Sequence, residues 1–332
     1  MQRKSSVTVI IPVCNNEKTI IDSLQSILDT SYENLKIIVF DDGSTDSSIE
    51  KVYEFRNQNK NLEIKVFTHS NNQNKGVSFT RNQALKHTDS TYVSFLDADD
   101  IYFSNRFDEV ISLLDNDLSI DAAFGLFERY QEPCPTLSTP FLKSNYPNSN
   151  FLINNFSDLQ IGEPVSLASF FSGGSGIHIS TITFRNSSLQ KLEGFPDLKF
   201  SEDHALFIRA ISTQKIVKAT NQSVSIYRIN SQSSCFKGKN TIEFNYSNIL
   251  AYYDTINWLQ KKSPSNIAIR ILKEKIPGKL FFSYSKPLQT AQSNQAIMNI
   301  FINALVFNPS LFFNLNFHKI LLKSVIFILL KF

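Results

Sequence analysis

Leu35-Lys-Ile-Ile-Val-Phe-Asp-Asp-Gly-Ser44 is the stretch on which the fold turns. Its first six residues are an almost unbroken apolar run, the pattern of a strand buried on both faces of a parallel sheet. The run stops at two carboxylates, a glycine and a serine, which by themselves make an ordinary turn and helix N-cap. Upstream, Val7-Thr-Val-Ile-Ile11 predicts an earlier buried strand, and Ile20, Leu24, Ile27 and Leu28 between the two form one apolar helical stripe. Downstream, a helix is expected from Ser47, a strand over 62–67, a helix over 77–86, and a fourth strand, Tyr92-Val-Ser-Phe-Leu96, that runs into Asp97-Ala-Asp-Asp100. A further helix is expected from Ser104. This alternation predicts an α/β fold with a doubly wound sheet. Ligands of such sheets sit outside the carboxyl ends of the strands. Two strands ending in Asp-rich turns would gather negative charge there, and three carboxylates in four positions repel one another unless a cation offsets them.

Composition narrows the classes. Of 332 residues, 42% are hydrophobic and 19% charged, a globular balance that excludes disorder and multi-span membrane proteins. The net charge of +3 is too small and scattered for nucleic acid to be the main partner. Cys14, Cys134 and Cys235 are odd in number and far apart, which suggests neither a disulfide framework nor a zinc site and fits a reducing cytoplasm. Arg3 and Lys4 before Val7–Val13 imitate a signal peptide, but the short run containing Pro12 reads better as a strand. From Gln131 to Glu163 periodicity gives way to Pro, Ser and Asn, the mark of a long surface loop.

Taken in order, Val9-Ile-Ile-Pro-Val-Cys-Asn15, Asp41-Asp-Gly-Ser-Thr-Asp46, Asn74-Lys-Gly76 with Arg81-Asn82, Asp97-Ala-Asp-Asp100 and Glu202-Asp203 resemble the family 2 glycosyltransferases of the GT-A fold. The resemblance covers about Val7 to Ser234. It implies a Rossmann-like mixed sheet flanked by helices, and inverting transfer of a sugar from a nucleotide-diphosphate sugar, most commonly a UDP-sugar, in bacterial cell-surface polysaccharide synthesis. It puts Pro12 and Asn15 in the loop after the first strand, beside the nucleotide, with Asp42 accepting a hydrogen bond from the base and Asp41 shaping the turn. Gly76 and Arg81 belong to a Gly-x-x-x-x-Arg-Asn element, and the planar fork of arginine suits phosphate. Asp97-Ala98-Asp99 matches the Asp-x-Asp element, so Mg2+ or Mn2+ is the implied cofactor, held first by Asp99, with Asp97 or Asp100 serving the ribose or supporting the metal's direct ligands. Asp203 is the implied catalytic base, with Glu202 orienting the site or contacting the sugar; outside this motif set the same pair would read as the negatively charged first turn of a helix. Arg228 sits in a Tyr-Arg pair of the family, but Asn230 and Ser231 stand where many members have a histidine. His204 beside the base has no assigned role, and His178, after the loop-like Gly173-Gly174-Ser175-Gly176, could approach the acceptor.

These readings divide the chain into a catalytic domain over 1–235 and a C-terminal helical extension over 236–332. The nucleotide-sugar half would cover about 1–105 and the acceptor half about 106–235. In the extension Tyr252, Ile256 and Leu259 share one apparent helical face, and Ile297, Ile300, Phe301 and Leu305 another. Lys319 to Phe332 is too short to span a bilayer and suits either a helix lying in the membrane interface or a core or dimer helix. The expected acceptor is a hydroxyl of a glycan or lipid-linked molecule, the expected location the cytoplasm or inner face of the plasma membrane. A Gln-x-x-Arg-Trp element is missing, which favours single addition over polymerisation. A polyprenyl-phosphate sugar synthase and a non-catalytic nucleotide-sugar-binding protein remain the alternatives.

Overall fold

The computed structural model describes residues 4–131, 152–153, 159–172, 177–229 and 242–285. The predicted faces between Ile297 and Leu305, the segment Lys319–Phe332, Asn230, Ser231, Cys134, Cys235 and most of the long middle loop lie outside the described residues. The chain divides into two compact units, one drawn from Met1–Lys199 and Leu206–Ser231, the other from Phe200–Ala205 and Gln232–Phe332.

The first unit is built on strands β1 (Val7–Val13), β2 (Leu35–Asp41), β3 (Glu63–Thr68) and β4 (Tyr92–Phe95). β1 pairs in parallel with β2 and β4, and β2 with β3. Every residue of β1 is buried, as its β-branched run requires. β3 lies at the sheet edge and exposes Glu63 and Lys65, charges that discourage pairing with another chain. Helix α1 (Ile20–Asp29) buries Ile20, Leu24 and Ile27 against the sheet, and α2 (Ser48–Gln58) buries Val52 and Phe55. Helix α3 (Val77–Leu85) follows β3.

After β4 the chain forms a two-residue strand β5 (Ile101–Tyr102) before helix α4 (Asp108–Asn116). Ile101 and Tyr102 pair antiparallel with Ile226 and Ser225, and the helix starts at Asp108 rather than Ser104 because residues 104–107 form turns instead, with Arg106 N donating to Phe103 O at 3.0 Å. Strands β6 (Ala122–Gln131), β7 (Leu152–Ile153), β8 (Ile182–Arg185) and β9 (Ile216–Ile229) complete a sheet in the order β3-β2-β1-β4-β8-β6-β9-β5, with β7 on β6. β4–β8 and β6–β8 are antiparallel, which makes the sheet mixed. The strand order reverses between β1 and β4, so the crevice at their carboxyl ends is the expected ligand position. Short helices α5 (Leu167–Ser172) and α6 (Asn186–Lys191) flank this half.

The second unit contains the start of α7 (Glu202–Thr213) together with α8 (Ile242–Lys262) and α9 (Ile267–Ser285). Ile249, Tyr252, Ile256 and Leu259 of α8 are buried, so the predicted face is the packed one. Among the described residues no helix is long and apolar enough to cross a membrane.

Candidate active site

The loops after β1 and β2 are stitched together by short polar side chains. Asn15, in the left-handed region at φ 56°, accepts a hydrogen bond on Oδ1 from Thr45 N at 2.8 Å. Asp46 accepts from Glu17 N and Ser48 N, both at 3.0 Å, and from the Ser48 hydroxyl. Burial pushes the Asp46 carboxyl up, but these hydrogen bonds outweigh it and hold the group below its ordinary value. Pro12 is not in the loop, where the resemblance put it: it is buried inside β1, opposite Phe40. Its missing N–H points to the side where Ile10 O receives Leu96 N, and β1–β4 pairing ends at Ile10, so no ladder bond is lost.

Asp41 Oδ1 accepts from Ser44 N at 3.0 Å and closes the turn. Asp42, 4% exposed, takes Lys75 N on Oδ1 at 2.6 Å and Gly76 N on Oδ2 at 3.0 Å. His69 Nε2 stands 3.4 Å from Oδ1. Gly76 serves as the N-cap of α3 at φ 87°, a conformation that turns its N–H onto the carboxylate. A carboxylate has about four lone-pair positions, so Asp42 is fixed in orientation yet keeps acceptor capacity for a ligand.

The Asp97–Asp100 turn is held from below by α1. Thr19 Oγ1 donates to Ala98 O at 2.8 Å and Ser23 Oγ to Asp100 O at 2.7 Å. Ala98 itself is buried, so its methyl packs inward while the flanking carboxylates face elsewhere. Asp97 forms an ion pair with Arg81, Nη2 to Oδ1 at 2.5 Å, and the Arg81 guanidinium lies 5.2 Å from the Phe195 ring centre. Asp100 is wholly buried; Oδ1 accepts from Arg228 N at 3.1 Å and Oδ2 from Ser180 Oγ at 2.7 Å. Burial, then the neighbouring charges of Asp99 and Asp97, pushes its carboxyl well above the usual range despite these two donors.

His178 completes the group, with Nδ1 3.6 Å from Asp100 Oδ2. Ligating atoms of Asp97, Asp100 and His178 lie within 4.8 Å of one another. Asp99, expected to lead, is half-buried and outside that triplet. Two carboxylates and an imidazole suit a divalent ion of the Mn2+ kind, and a cation would relieve the repulsion that Asp100 feels. No sequence signal tied His178 to Asp100. The contact exists because the turn Ile179–Thr181 leads into β8, two strands from β1, and Arg106 braces that turn by donating to Ser180 O and Ile182 O, each at 3.1 Å.

Arg228 is buried, with Nη1 on Asp22 Oδ2 at 3.0 Å; its Nε and Nη2 have no hydrogen-bond partner among the described residues. Its backbone N–H thus serves Asp100 while its side chain ties β9 to α1.

Helix α3 also holds the segment that precedes the expected base. Asn82 donates from Nδ2 to Phe195 O at 2.7 Å and accepts on Oδ1 from Phe195 N at 2.8 Å, and Ser78 Oγ donates to Leu198 O at 3.0 Å. Gly194, at φ 77°, has no room for a side chain, because a Cβ there would stand 2.3 Å from Asn82 Oδ1. Gly194→Ala is expected to cost about 2–4 kcal/mol, combining left-handed strain with displacement of the Asn82 clamp. Urea denaturation checks this, and an unchanged midpoint would refute the clamp.

Glu202 and Asp203 belong to the second unit, in the first turn of α7, where negative charge meets the positive end of the helix. Glu202 is buried and Asp203 half-buried, with Asp203 Oδ1 accepting from His204 N at 2.7 Å. This turn is anchored within the same unit by Ser201 Oγ against Ser247 Oγ at 2.6 Å and by the Phe200 and Phe244 rings at 5.4 Å.

Comparison with known proteins gives this geometry a family. Residues 8–160 match the model of glycosyl transferase family 2. An uncharacterized glycosyltransferase of Rickettsia bellii is 25% identical over 266 residues, covering 80% of this chain and 35% of the relative. Escherichia coli WfgD, a UDP-Glc:alpha-D-GlcNAc-diphosphoundecaprenol beta-1,3-glucosyltransferase, is 39% identical over 108 residues, 32% of this chain and 40% of WfgD. The chain thus spans well under two thirds of both relatives. The structure of S. aureus TarS 1-349 in complex with UDP-GlcNAc superposes with a TM-score of 0.65 at 18% identity, covering 91% of this chain and 81% of TarS 1-349. With its mixed sheet, its two Asp-rich turns at the carboxyl ends of the strands and its matched segment, the chain carries a glycosyl transferase family 2 domain over residues 8–160 on a fold like that of TarS.

Proposed function

We propose that the protein transfers a sugar, with inversion, from a UDP-sugar to a hydroxyl of a diphosphate-lipid-linked glycan during cell-surface polysaccharide synthesis. The observation that carries this reading is the Asp97–Asp100 turn, whose buried Asp100 is held against its own charge at the switch point of the sheet. WfgD, a glucosyltransferase that joins a UDP-sugar to a diphosphate-lipid-linked acceptor, supports the donor and acceptor classes.

In this mechanism Asp42, Asp41 and Asn15 shape the nucleotide site, with Asp42 accepting from the base. Arg81 and Gly76 serve the phosphate side, Arg81 also keeping Asp97 in place. Asp97, Asp99, Asp100 and His178 would hold Mg2+ or Mn2+, which would supply Lewis-acid stabilisation of the charge on the departing diphosphate. Asp203 takes the proton of the acceptor hydroxyl as that oxygen bonds to the anomeric carbon. The bond from that carbon to the diphosphate oxygen breaks, and its electron pair leaves with UDP. Glu202 orients Asp203. The buried Arg228 backs the site by fixing Asp100, and its Nε and Nη2, unpartnered among the described residues, suit an anion.

A thermal-shift series with UDP-, GDP- and dTDP-sugars, each with and without Mn2+, tests the reading. The expected outcome is stabilisation by a UDP-sugar that depends on the metal. No shift with any nucleotide sugar would overturn it.

A further inference from the structure

Beyond the Asp97–Asp100 turn, strands β6 and β9 carry a second group of chemistry-bearing side chains. In their parallel register Phe127 lies opposite Ser225 and Arg129 opposite Tyr227. Residues two apart on a strand share a face, so Phe127 and Arg129 stand on the same side, about 7 Å apart along the strand. The side chains agree: the Arg129 guanidinium lies 5.7 Å from the Phe127 ring centre. The Phe127 ring is 5.1 Å from His178, and His178 is 4.7 Å from Tyr227. An aromatic shelf of Phe127, His178 and Tyr227 therefore runs from the carboxylate cluster to a half-buried arginine.

Arg129 stands apart from the other arginines near the site. Arg81 has Asp97 and Arg228 has Asp22, whereas no carboxylate among the described residues pairs with Arg129 and its buried Nε has no hydrogen-bond acceptor. A guanidinium held on an aromatic ring with donors to spare is prepared for an anion with paired oxygens. The half-buried Tyr227 ring beside it suits the apolar face of a sugar ring.

We propose that this shelf is the acceptor subsite, with the half-buried Tyr227 ring against the acceptor sugar, the buried Phe127 supporting that ring edge-on at 6.5 Å, and Arg129 on the phosphate attached to that sugar. This rests on the glycosyltransferase reading above and deepens it. The enzyme would select acceptors by their sugar phosphate rather than by the sugar alone.

The test compares two probes on the full chain by calorimetry in the presence of UDP and Mn2+: an alkyl α-N-acetylglucosaminyl diphosphate and the matching alkyl glycoside without phosphate. The wild type is expected to bind the diphosphate at least tenfold more tightly. Arg129→Gln should shrink that preference to about twofold, and Arg129→Lys should retain part of it. Stabilisation by UDP-sugar and Mn2+ reports that each variant is folded. Equal affinity of the wild type for both probes, failure to bind either, or a preference that survives Arg129→Gln would overturn the subsite. So would Arg129→Gln weakening UDP-sugar binding to the same degree, since Arg129 would then serve the donor. Absence of any UDP-sugar stabilisation in the wild type is a different failure, that of the glycosyltransferase reading itself.

Discussion

Asp203→Asn is expected to lower the transfer rate by about 10²- to 10⁴-fold while leaving the affinity for donor nearly unchanged. Removing a positioned general base typically costs that factor. The substitution keeps the shape of the side chain and its acceptor oxygen for His204 N, so the helix turn should persist. It also removes one negative charge from the first turn of α7, an effect of about 0.3–1 kcal/mol on stability that melting will separate from the catalytic loss. The measurement is single-turnover transfer together with donor-induced thermal shift. Full activity in the variant would exclude Asp203 as the base, whereas loss of both activity and folding would assign it a structural role. Glu202 is more deeply buried, which suits orientation better than proton transfer.

Substitution in the Asp-x-Asp turn should separate metal binding from scaffolding. Asp99→Asn is expected to abolish the Mn2+-dependent part of the donor shift and to slow transfer at least about 100-fold. That corresponds to roughly 3 kcal/mol of lost charge stabilisation at 1.36 kcal/mol per tenfold. Its melting temperature without ligand should hold or rise, because Asp99 adds repulsion to buried Asp100. Asp97→Asn should behave differently. It takes the carboxylate from the Arg81 ion pair, which buried-pair precedent puts at 3–5 kcal/mol and which is closer to about 2–4 here because the Asp97 side chain is 29% exposed. A variant at Asp99 that retains the full Mn2+-dependent shift would leave the metal to Asp97, Asp100 and His178 alone.

Several features of the fold were written locally. Leu35–Phe40 and Val7–Ile11 read as doubly buried strands because a continuous apolar run tolerates no solvent face, and both are central in the sheet. The stripe of α1 and the start of α2 followed from periodicity and from Asp and Ser at the turn. The two-residue strand β5 was not legible, since two residues paired with a strand more than a hundred positions away carry no local signal. The site divided in the same way. Asp41, Asp42 and Asp97–Asp100 were recognisable as turn carboxylates in an ordered motif set, whereas His178 was read only as able to approach the acceptor, Asn82 only as part of the Arg-Asn element, and Arg129 not at all.

The sequence by itself determined the alternation of strands and helices, the end of the sheet at which the carboxylates gather, and the family. Those properties depend on side-chain polarity and spacing within a few residues of the backbone. Only the tertiary structure decided which groups meet: that Asp42 is clamped by Lys75 N and Gly76 N, that Arg228 turns its side chain to Asp22 and its backbone to Asp100, and that His178 reaches the Asp-rich turn. The physical reason is that each of these contacts joins segments brought together by strand order, and strand order is fixed by packing of the whole sheet rather than by any one segment.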